Sequence, residues 1–138
     1  MKKFLFLFLW LGGSSLFAQA VLPLKERAKA IEQIQQERFE VLLPQLMQAR
    51  NIDAWVIIAR EYNEDPVVKT MLPPTWLNAR RRTILVFTKD AKTGEVSRAA
   101  ITRYPFGKLI PSVWKKEEEP DQMKALADYL TQKNPAKI

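Results

Sequence analysis

The chain has 138 residues, with 22 Lys or Arg and 15 Asp or Glu, and its formal net charge is +7. It contains no histidine and no cysteine, which excludes a Ser-His-Asp triad, histidine-based metal sites and disulfides within these residues. The basic excess comes without any nucleic-acid recognition motif, so we expect no nucleic-acid partner.

Residues 1–20 have the organisation of a secretory signal peptide. Two lysines precede an apolar run at residues 4–11, and Ala18 and Ala20 form an A-x-A cleavage site. The apolar run is shorter than the roughly 20 residues that span a bilayer. We therefore expect cleavage after Ala20, export to the periplasm or the medium, and no stable membrane anchor; an uncleaved anchor is the alternative. The remaining residues 21–138 would carry a charge of +5 and form one domain.

Residues 24–50 have the apolar spacing of an amphipathic helix. The apolar side chains that fall mostly on one face of this helix are Ile31, Ile34, Phe39, Leu42, Leu46 and Met47. Pro44 has no backbone N–H, and its ring collides with the preceding turn. We therefore expect the helix to kink or restart near Leu43.

A strand is predicted next, over residues 53–60. Its segment 54–59 is apolar and rich in β-branched side chains, which is typical of a central strand covered on both faces. Polar residues follow at the C-terminal end of this strand. In α/β folds, ligand-binding sites usually lie at that end of the strands. Residues 66–71 are then expected to form a short helix, with Asp65 as its N-cap and a proline at its first position.

The rest of the chain predicts a hairpin, an irregular connector and one helix. Strands over residues 83–88 and 95–103 flank a polar loop and are expected to pair antiparallel. Proline and glycine make residues 104–114 irregular, and residues 120–132 have helical apolar spacing. A basic-apolar step follows this helix, where an α/β unit would enter a further strand, so we expect an α/β sheet that is incomplete at its C-terminus.

The polar run after the first strand is the first candidate site. Its members are Arg60, Glu61, Tyr62, Asn63, Glu64 and Asp65. Such side chains have the chemistry to bind a peptide terminus or to gate a pocket, and Glu61 with Asp65 offers a carboxylate pair for acid–base work or a hard metal. A local role accounts for them equally well, because Asn63 suits a turn and Asp65 suits a helix cap.

Three consecutive arginines, Arg80, Arg81 and Arg82, form the second candidate. Adjacent guanidinium groups are suited to phosphate or carboxylate. Successive side chains of an extended chain point to opposite faces, so the three can meet at one ligand only if the backbone bends. The alternative to a ligand site is that these arginines form ion pairs with acidic neighbours or lie in an interface.

Aromatic residues form the third candidate. Trp76, Tyr104, Phe106 and Trp114 lie in proline-rich connectors, where they either pack beneath the loops or face a partner. Trp55 lies inside the first strand and is expected in the core.

Four blocks of the sequence resemble the N-terminal domain of the M24 metallopeptidases, which are the creatinase, prolidase and Xaa-Pro aminopeptidase group. The blocks are E-R-F-E-V-L-L-P-Q-L-M (37–47), I-D-A-W-V-I-I-A-R-E-Y-N-E-D-P (52–66), L-P-P-T-W-L-N-A-R-R-R-T-I-L-V-F (72–87) and P-D-Q-M-K-A-L-A-D-Y-L (120–130). The two middle blocks are the more specific. The chain is most similar to exported bacterial members, and the likeness extends over residues 24–138.

The resemblance implies a creatinase N-terminal-type fold, similar to ribonuclease H, in which helices flank a mixed sheet. It also implies a non-catalytic domain that helps the enzyme dimerise and shapes access to an active site in a separate catalytic domain. The family's two-metal centre uses two aspartates, a histidine and two glutamates of that second domain. No catalytic or metal-binding residue is therefore assigned in this chain, and divalent metal ions are implied only for the catalytic domain.

By analogy with the family, the candidate interface or substrate-access residues lie in the polar turn and the connectors. They are Arg60, Glu61, Tyr62, Asn63, Asp65, Trp76, Arg80, Arg81, Arg82 and Trp114. The expected partner is a second copy in a homodimer or the catalytic domain of the full-length enzyme. Two other functions stay open, namely a free-standing periplasmic binding or assembly module and an anion-binding protein built on the three arginines.

Overall fold

Helices and strands interleave along the chain, in agreement with the predicted α/β class. The computed structural model describes residues 21–138, so the predicted signal peptide and its cleavage site lie outside the described residues. The elements are α1 (Leu24–Glu37), a π-helical segment (Arg38–Leu42), α2 (Leu43–Ala49), β1 (Ala54–Arg60), α3 (Pro66–Met71), β2 (Arg82–Lys89), β3 (Val96–Ala100) and α4 (Gln122–Lys133). Within the described part of the chain, no helix combines the length and the apolar character needed to cross a membrane.

The long N-terminal helix changes its winding where the sequence predicted a break. Leu43 donates its N–H to the carbonyl of Arg38, five residues earlier, and α2 starts at Leu43 with Pro44 in its first turn. Because a proline cannot donate a backbone hydrogen bond, the helix widens to π spacing immediately before it. The expected restart near Leu43 is confirmed.

The helical face that packs on the sheet agrees with the predicted one at Phe39 and Met47 and differs at the other four positions. The buried residues of this face recur every four positions and are Gln35, Phe39, Leu43 and Met47. The predicted core positions that are instead 41% to 47% exposed are Ile31, Ile34, Leu42 and Leu46. The π segment holds more residues per turn than an α-helix. Positions predicted from regular α-helical spacing therefore rotate away from the buried face once the chain passes through this segment.

The sheet has three antiparallel strands in the order β1-β2-β3. The register of β1 on β2 runs from Ala54 opposite Thr88 to Arg60 opposite Arg82. β2, with six consecutive buried residues, is the central strand. The prediction that the first strand is central is wrong for the described residues: β1 lies at an edge, where Ile58 is 48% exposed. The apolar run of β1 therefore predicts neither its place in the sheet nor full coverage of both faces, since only Ala54, Ile57 and Ala59 of the strand are buried.

Helices cover both faces of the sheet and divide the core into two halves. Ile57 of β1 and Phe87 of β2 face the π segment and α2, where Phe39 belongs to the same cluster. Val86 faces the other side and packs with Leu126 of α4. Because successive strand residues point to opposite faces, the apolar run of β2 supplies both halves of the core.

Candidate functional site

Local hydrogen bonds hold the polar turn that follows β1. Asp65 Oδ1 accepts the backbone N–H of Val67 at 2.7 Å and caps α3, as predicted. Asn63 donates its backbone N–H to the carbonyl of Arg60 at 2.9 Å. Tyr62 lies between them with a φ of 65° and is 86% exposed. The Asp65 carboxylate is therefore committed to a structural role.

Two glutamates tie this turn to the segment that enters β2. Glu64 Oε1 accepts the N–H of Ala79 at 3.1 Å, and Glu61 Oε2 accepts the N–H of Arg81 at 3.1 Å. Glu61 also donates its own N–H to the Arg81 carbonyl at 2.6 Å. Glu61 and Asp65, considered above as a carboxylate pair, thus bind different backbone donors. Within residues 21–138, no group of three or more acidic, histidine or cysteine side chains is placed to hold a metal ion.

The backbone bends at Arg81, the middle of the three arginines. Arg81 has a φ of 52°, and this left-handed conformation costs a non-glycine residue roughly 1–2 kcal/mol. The two hydrogen bonds from Glu61 hold the bend in place. As a result, Arg80, Arg81 and Arg82 line one cleft of about 140 Å³. We call this the arginine cleft.

Residues from later segments complete the arginine cleft. They are Thr102, Arg103, Tyr104, Trp114 and Gln122. Gln122 Nε2 donates to the carbonyl of Ile101 at 2.5 Å and to that of Arg82 at 3.1 Å, and it bridges β2 to the chain beyond the end of β3. Sequence reasoning missed Arg103 and Gln122 as site residues. Gln122 lies 40 residues beyond Arg82, and no local pattern connects the two.

A second cleft, of about 300 Å³, lies beside the first. It is lined by Arg60, Glu61, Arg81 and Arg82. Arg60 and Arg82 are directly opposite each other in the β1–β2 register. Like charges that face each other across two strands destabilise a sheet, so this end of the sheet carries unfavourable repulsion.

No arginine among residues 21–138 has a carboxylate oxygen within ion-pair distance. All five ion pairs of this part of the chain use lysines. Of the two expected roles of Arg80, Arg81 and Arg82, pairing with acidic neighbours is therefore not found among the described residues, and a place in an interface stays a prediction. Glu61, which lines the neighbouring cleft with Arg81 and Arg82, accepts a backbone N–H instead.

The four connector aromatics differ in burial: Phe106 is buried, Trp76 and Trp114 are half-buried, and Tyr104 is 40% exposed. The Arg80 guanidinium lies 4.4 Å from the ring centroid of Trp76 and 5.8 Å from that of Tyr104. Trp76 in turn meets the buried Phe106 edge-on at 5.2 Å. Trp114 donates its indole N–H to a backbone carbonyl at 2.7 Å and packs against the α4 side of the core. These contacts fix Arg80 and the rim of the arginine cleft.

The outer edge of β1 has unpaired backbone groups. The ladder to β2 uses odd-numbered positions, since Lys89 donates to the carbonyl of Asp53 and Glu61 donates to that of Arg81. The N–H and C=O groups of Val56 and Ile58 therefore point away from β2. Within residues 21–138, no backbone hydrogen bond satisfies them.

The two ends of this edge are already occupied. At one end, Lys137 accepts the N–H of Ala54 at 3.0 Å through its carbonyl oxygen, and at the other, Asn63 donates to the carbonyl of Arg60. The opposite side of the sheet is less open, because Ala100 of β3 bonds both Pro111 and Val113. The unpaired stretch of β1 is thus short: it covers Val56 and Ile58 in the middle of the strand, and the outward-facing groups at both strand ends are hydrogen-bonded.

An apolar cleft of about 350 Å³ lies between the N-terminal helices, α3 and β1. Its apolar lining includes Leu42, Leu46, Trp55, Val67 and Met71. Trp55 packs against Phe87 with ring centroids 6.1 Å apart, yet it is only half-buried, because β1 is an edge strand. Trp55 packs against the core as predicted, but its burial is only partial.

Comparison with known proteins finds no match: no family model, no curated protein and no solved structure matches the chain. The functional argument therefore depends on the geometry described above and on the sequence blocks. Neither the polar turn nor the arginine cleft holds a recognisable catalytic arrangement of side chains among the described residues.

Proposed function

We propose that residues 21–138 form the non-catalytic N-terminal domain of an exported M24-type metallopeptidase of the Xaa-Pro peptidase kind. The domain supplies contact surface for dimerisation and for access to an active site in a separate catalytic domain, and it has no peptidase activity by itself. The support is the sequence of residues 52–66 and 72–87. In this proposal the fold is of the creatinase N-terminal type, and the two divalent metal ions belong to the catalytic domain.

The open edge of β1 is the observation that carries the contact role. An exposed strand edge is a template for pairing with another chain, and proteins usually protect such edges with charges, proline or bulges. The unpaired positions here are Val56 and Ile58, which are apolar, and Ile58 is 48% exposed. A segment of a partner that pairs here would satisfy their backbone groups and cover their side chains.

The apolar cleft lies along the same edge strand, on the face of the sheet opposite to the side chains of Val56 and Ile58. Leu42 is 47% exposed and Leu46 is 44% exposed, and both line the cleft with Trp55. Burying apolar area stabilises a contact by about 25 cal/mol per Å². A partner that covers both the strand edge and this cleft gains hydrogen bonds and apolar burial together.

Sedimentation velocity of the purified protein tests the contact role. Ile58→Lys places a charge on the open edge, which is a device that natural proteins use against pairing. Leu77→Lys makes the same chemical change at a position that is 99% exposed and serves as the matched control. We expect a dimer for the unsubstituted protein and for Leu77→Lys, and a monomer for Ile58→Lys. Monomers in all three samples at every concentration would contradict dimerisation through β1.

The gene tests the catalytic half of the proposal. We expect the reading frame to continue past codon 138 and to encode spaced Asp, Asp, His, Glu and Glu residues. A stop codon at that position in the intact gene would instead favour a free-standing periplasmic binding or assembly module.

A further inference from the structure

The arginine-lined end of the sheet has a second role in this structure. We propose that the arginine cleft binds a doubly charged tetrahedral oxyanion, namely a phosphate group that is either free or esterified. The arginines that line the cleft are Arg80, Arg81, Arg82 and Arg103. This site is distinct from the open edge of β1, and its ligand does not depend on the proposed peptidase role.

Uncompensated positive charge is the first observation that supports the site. Four arginines, all of them exposed, line the cleft, and none of its lining residues carries a carboxylate. Carboxylates on neighbouring segments bind other groups: Glu64 accepts the Ala79 N–H and Glu61 the Arg81 N–H, and Asp121 caps α4 by accepting two backbone N–H groups. An anion in the cleft would neutralise a repulsion that the protein's own acidic groups leave in place.

Preorganisation of the arginines is the second observation. Arg80 is stacked on Trp76, the Arg81 backbone is fixed by Glu61, and the Arg82 carbonyl is held by Gln122. A guanidinium presents its N–H donors in a planar fork that matches the oxygens of phosphate. Because packing and hydrogen bonds already restrain this part of the chain, less conformational entropy is lost when a ligand binds.

Two unfavourable features of the free protein point to the same ligand. Arg81 holds a left-handed backbone conformation, and Arg60 faces Arg82 directly across the strands. Strained backbone conformations concentrate at ligand-binding sites, where the surrounding structure enforces them. Neither feature stabilises the fold, and both bring positive charge to the same end of the sheet.

The shape and donor number of the cleft favour phosphate over carboxylate. Its volume of about 140 Å³ suits a small oxyanion. Four guanidinium groups offer more N–H donors than the two oxygens of one carboxylate can accept, whereas a phosphate offers three or more oxygens and up to twice the charge. Tyr104, 40% exposed at the rim, leaves room for the substituent of an ester.

Isothermal titration calorimetry on the purified protein tests the site with two probes, inorganic phosphate and glycerol 3-phosphate. Acetate and chloride at matched ionic strength are the controls. We expect saturable one-to-one binding of the phosphate probes, at least about tenfold tighter than acetate, because doubly charged oxyanions form stronger charge-assisted hydrogen bonds. The probe that binds more tightly identifies free or esterified phosphate as the ligand.

Arg81→Gly removes one guanidinium and keeps the left-handed backbone, since glycine adopts that conformation without strain. Lys92→Ala removes one positive charge from the hairpin loop at the opposite end of β2 and is the matched control. We expect phosphate affinity to fall by at least about tenfold in Arg81→Gly, to fall similarly in Arg103→Ala, and to stay within about twofold in Lys92→Ala. Arg81→Gly is also expected to melt no lower than the control, which separates loss of the site from loss of the fold.

Two results would overturn the proposal. One is the absence of saturable binding of either phosphate probe to the unsubstituted protein. The other is equal phosphate affinity in Arg81→Gly and Lys92→Ala, because binding would then follow overall charge rather than the arginine cleft.

Discussion

Replacing the buried Gln35 is expected to destabilise the protein more than replacing the adjacent apolar Ile34. Gln35 is 5% exposed, whereas Ile34 is 47% exposed. Gln35 Nε2 donates to the carbonyl of Leu72 at 2.5 Å, across 37 residues of sequence. Leu72 is the C-cap residue that directly follows α3, so this hydrogen bond joins α1 to the end of α3. Gln35→Leu keeps the size and the helical preference of the side chain and removes the donor.

The expected loss follows from the acceptor that is left behind. A fully buried carbonyl without a partner costs about 1–3 kcal/mol; the hydrogen bond to Leu72 is partly buried, so its loss falls in the lower part of that range, and the apolar leucine recovers some of it through burial. We therefore expect Gln35→Leu to lower the free energy of unfolding by about 1–2 kcal/mol. Ile34→Ala removes a side chain that is about half solvated and gains helix propensity, so its loss is expected to stay below about 1 kcal/mol.

Urea unfolding followed by far-UV circular dichroism measures both changes, provided that the slope with denaturant stays constant. Gln36→Leu is the matched control, because Gln36 is an exposed neighbour whose amide bonds Glu40 one turn away at 3.1 Å. Its loss is expected to stay within about 0.5 kcal/mol. Two results would contradict this account: a Gln35→Leu protein as stable as Gln36→Leu, or Ile34→Ala as the most damaging change. Either would mean that the helical face containing Ile34, rather than the face containing Gln35, packs on the sheet.

Three further changes test separate parts of the fold. Gly107→Ala is expected to lower the thermal midpoint more than Gly94→Ala, because both have positive φ but only at Gly107 would a Cβ lie 2.9 Å from a proline ring; equal losses would refute the clash. Asp65→Ala is expected to lose about 0.5–2 kcal/mol through the α3 cap, with Asp65→Asn recovering most of it in urea titrations. The backbone N–H groups of Thr93 and Lys92 donate hydrogen bonds to the Asp90 carboxylate and hold its pKa below the usual 3.8. The stability that this carboxylate contributes is present above its unfolded-state pKa and is lost as pH falls through the lower native pKa. Asp90→Ala is therefore expected to flatten the acid limb of a stability profile, and an unchanged limb would count against that role.

Local signals in the sequence predict the elements well. The Asp65 cap of α3 was predicted correctly, since both the cap and the proline that follows it act within one turn of the helix. The end of α4 is likewise local: Asn134 adopts a left-handed conformation with a φ of 48° and stops the helix. The third strand ends at Ala100, earlier than predicted, and at the next residue the carbonyl of Ile101 accepts the Gln122 side chain.

Long-range contacts decide what the sequence could not predict. The bend that brings the three arginines together is held by Glu61, 20 residues before Arg81. The buried Gln35 finds its acceptor 37 residues away, so a polar residue occupies a position that a periodicity rule assigns to solvent. The place of β1 at the edge follows from strand order, which the composition of a single strand does not encode.

Hydrolysis of an Xaa-Pro peptide is the most direct test of the claim that this domain supplies contact surface and no catalytic groups. The purified protein is incubated with the peptide and with Mn²⁺, Co²⁺ or Zn²⁺, and release of the N-terminal residue is measured against metal and peptide alone. We expect no release above that background with any metal. Saturable, metal-dependent release that co-purifies with the protein would contradict the claim.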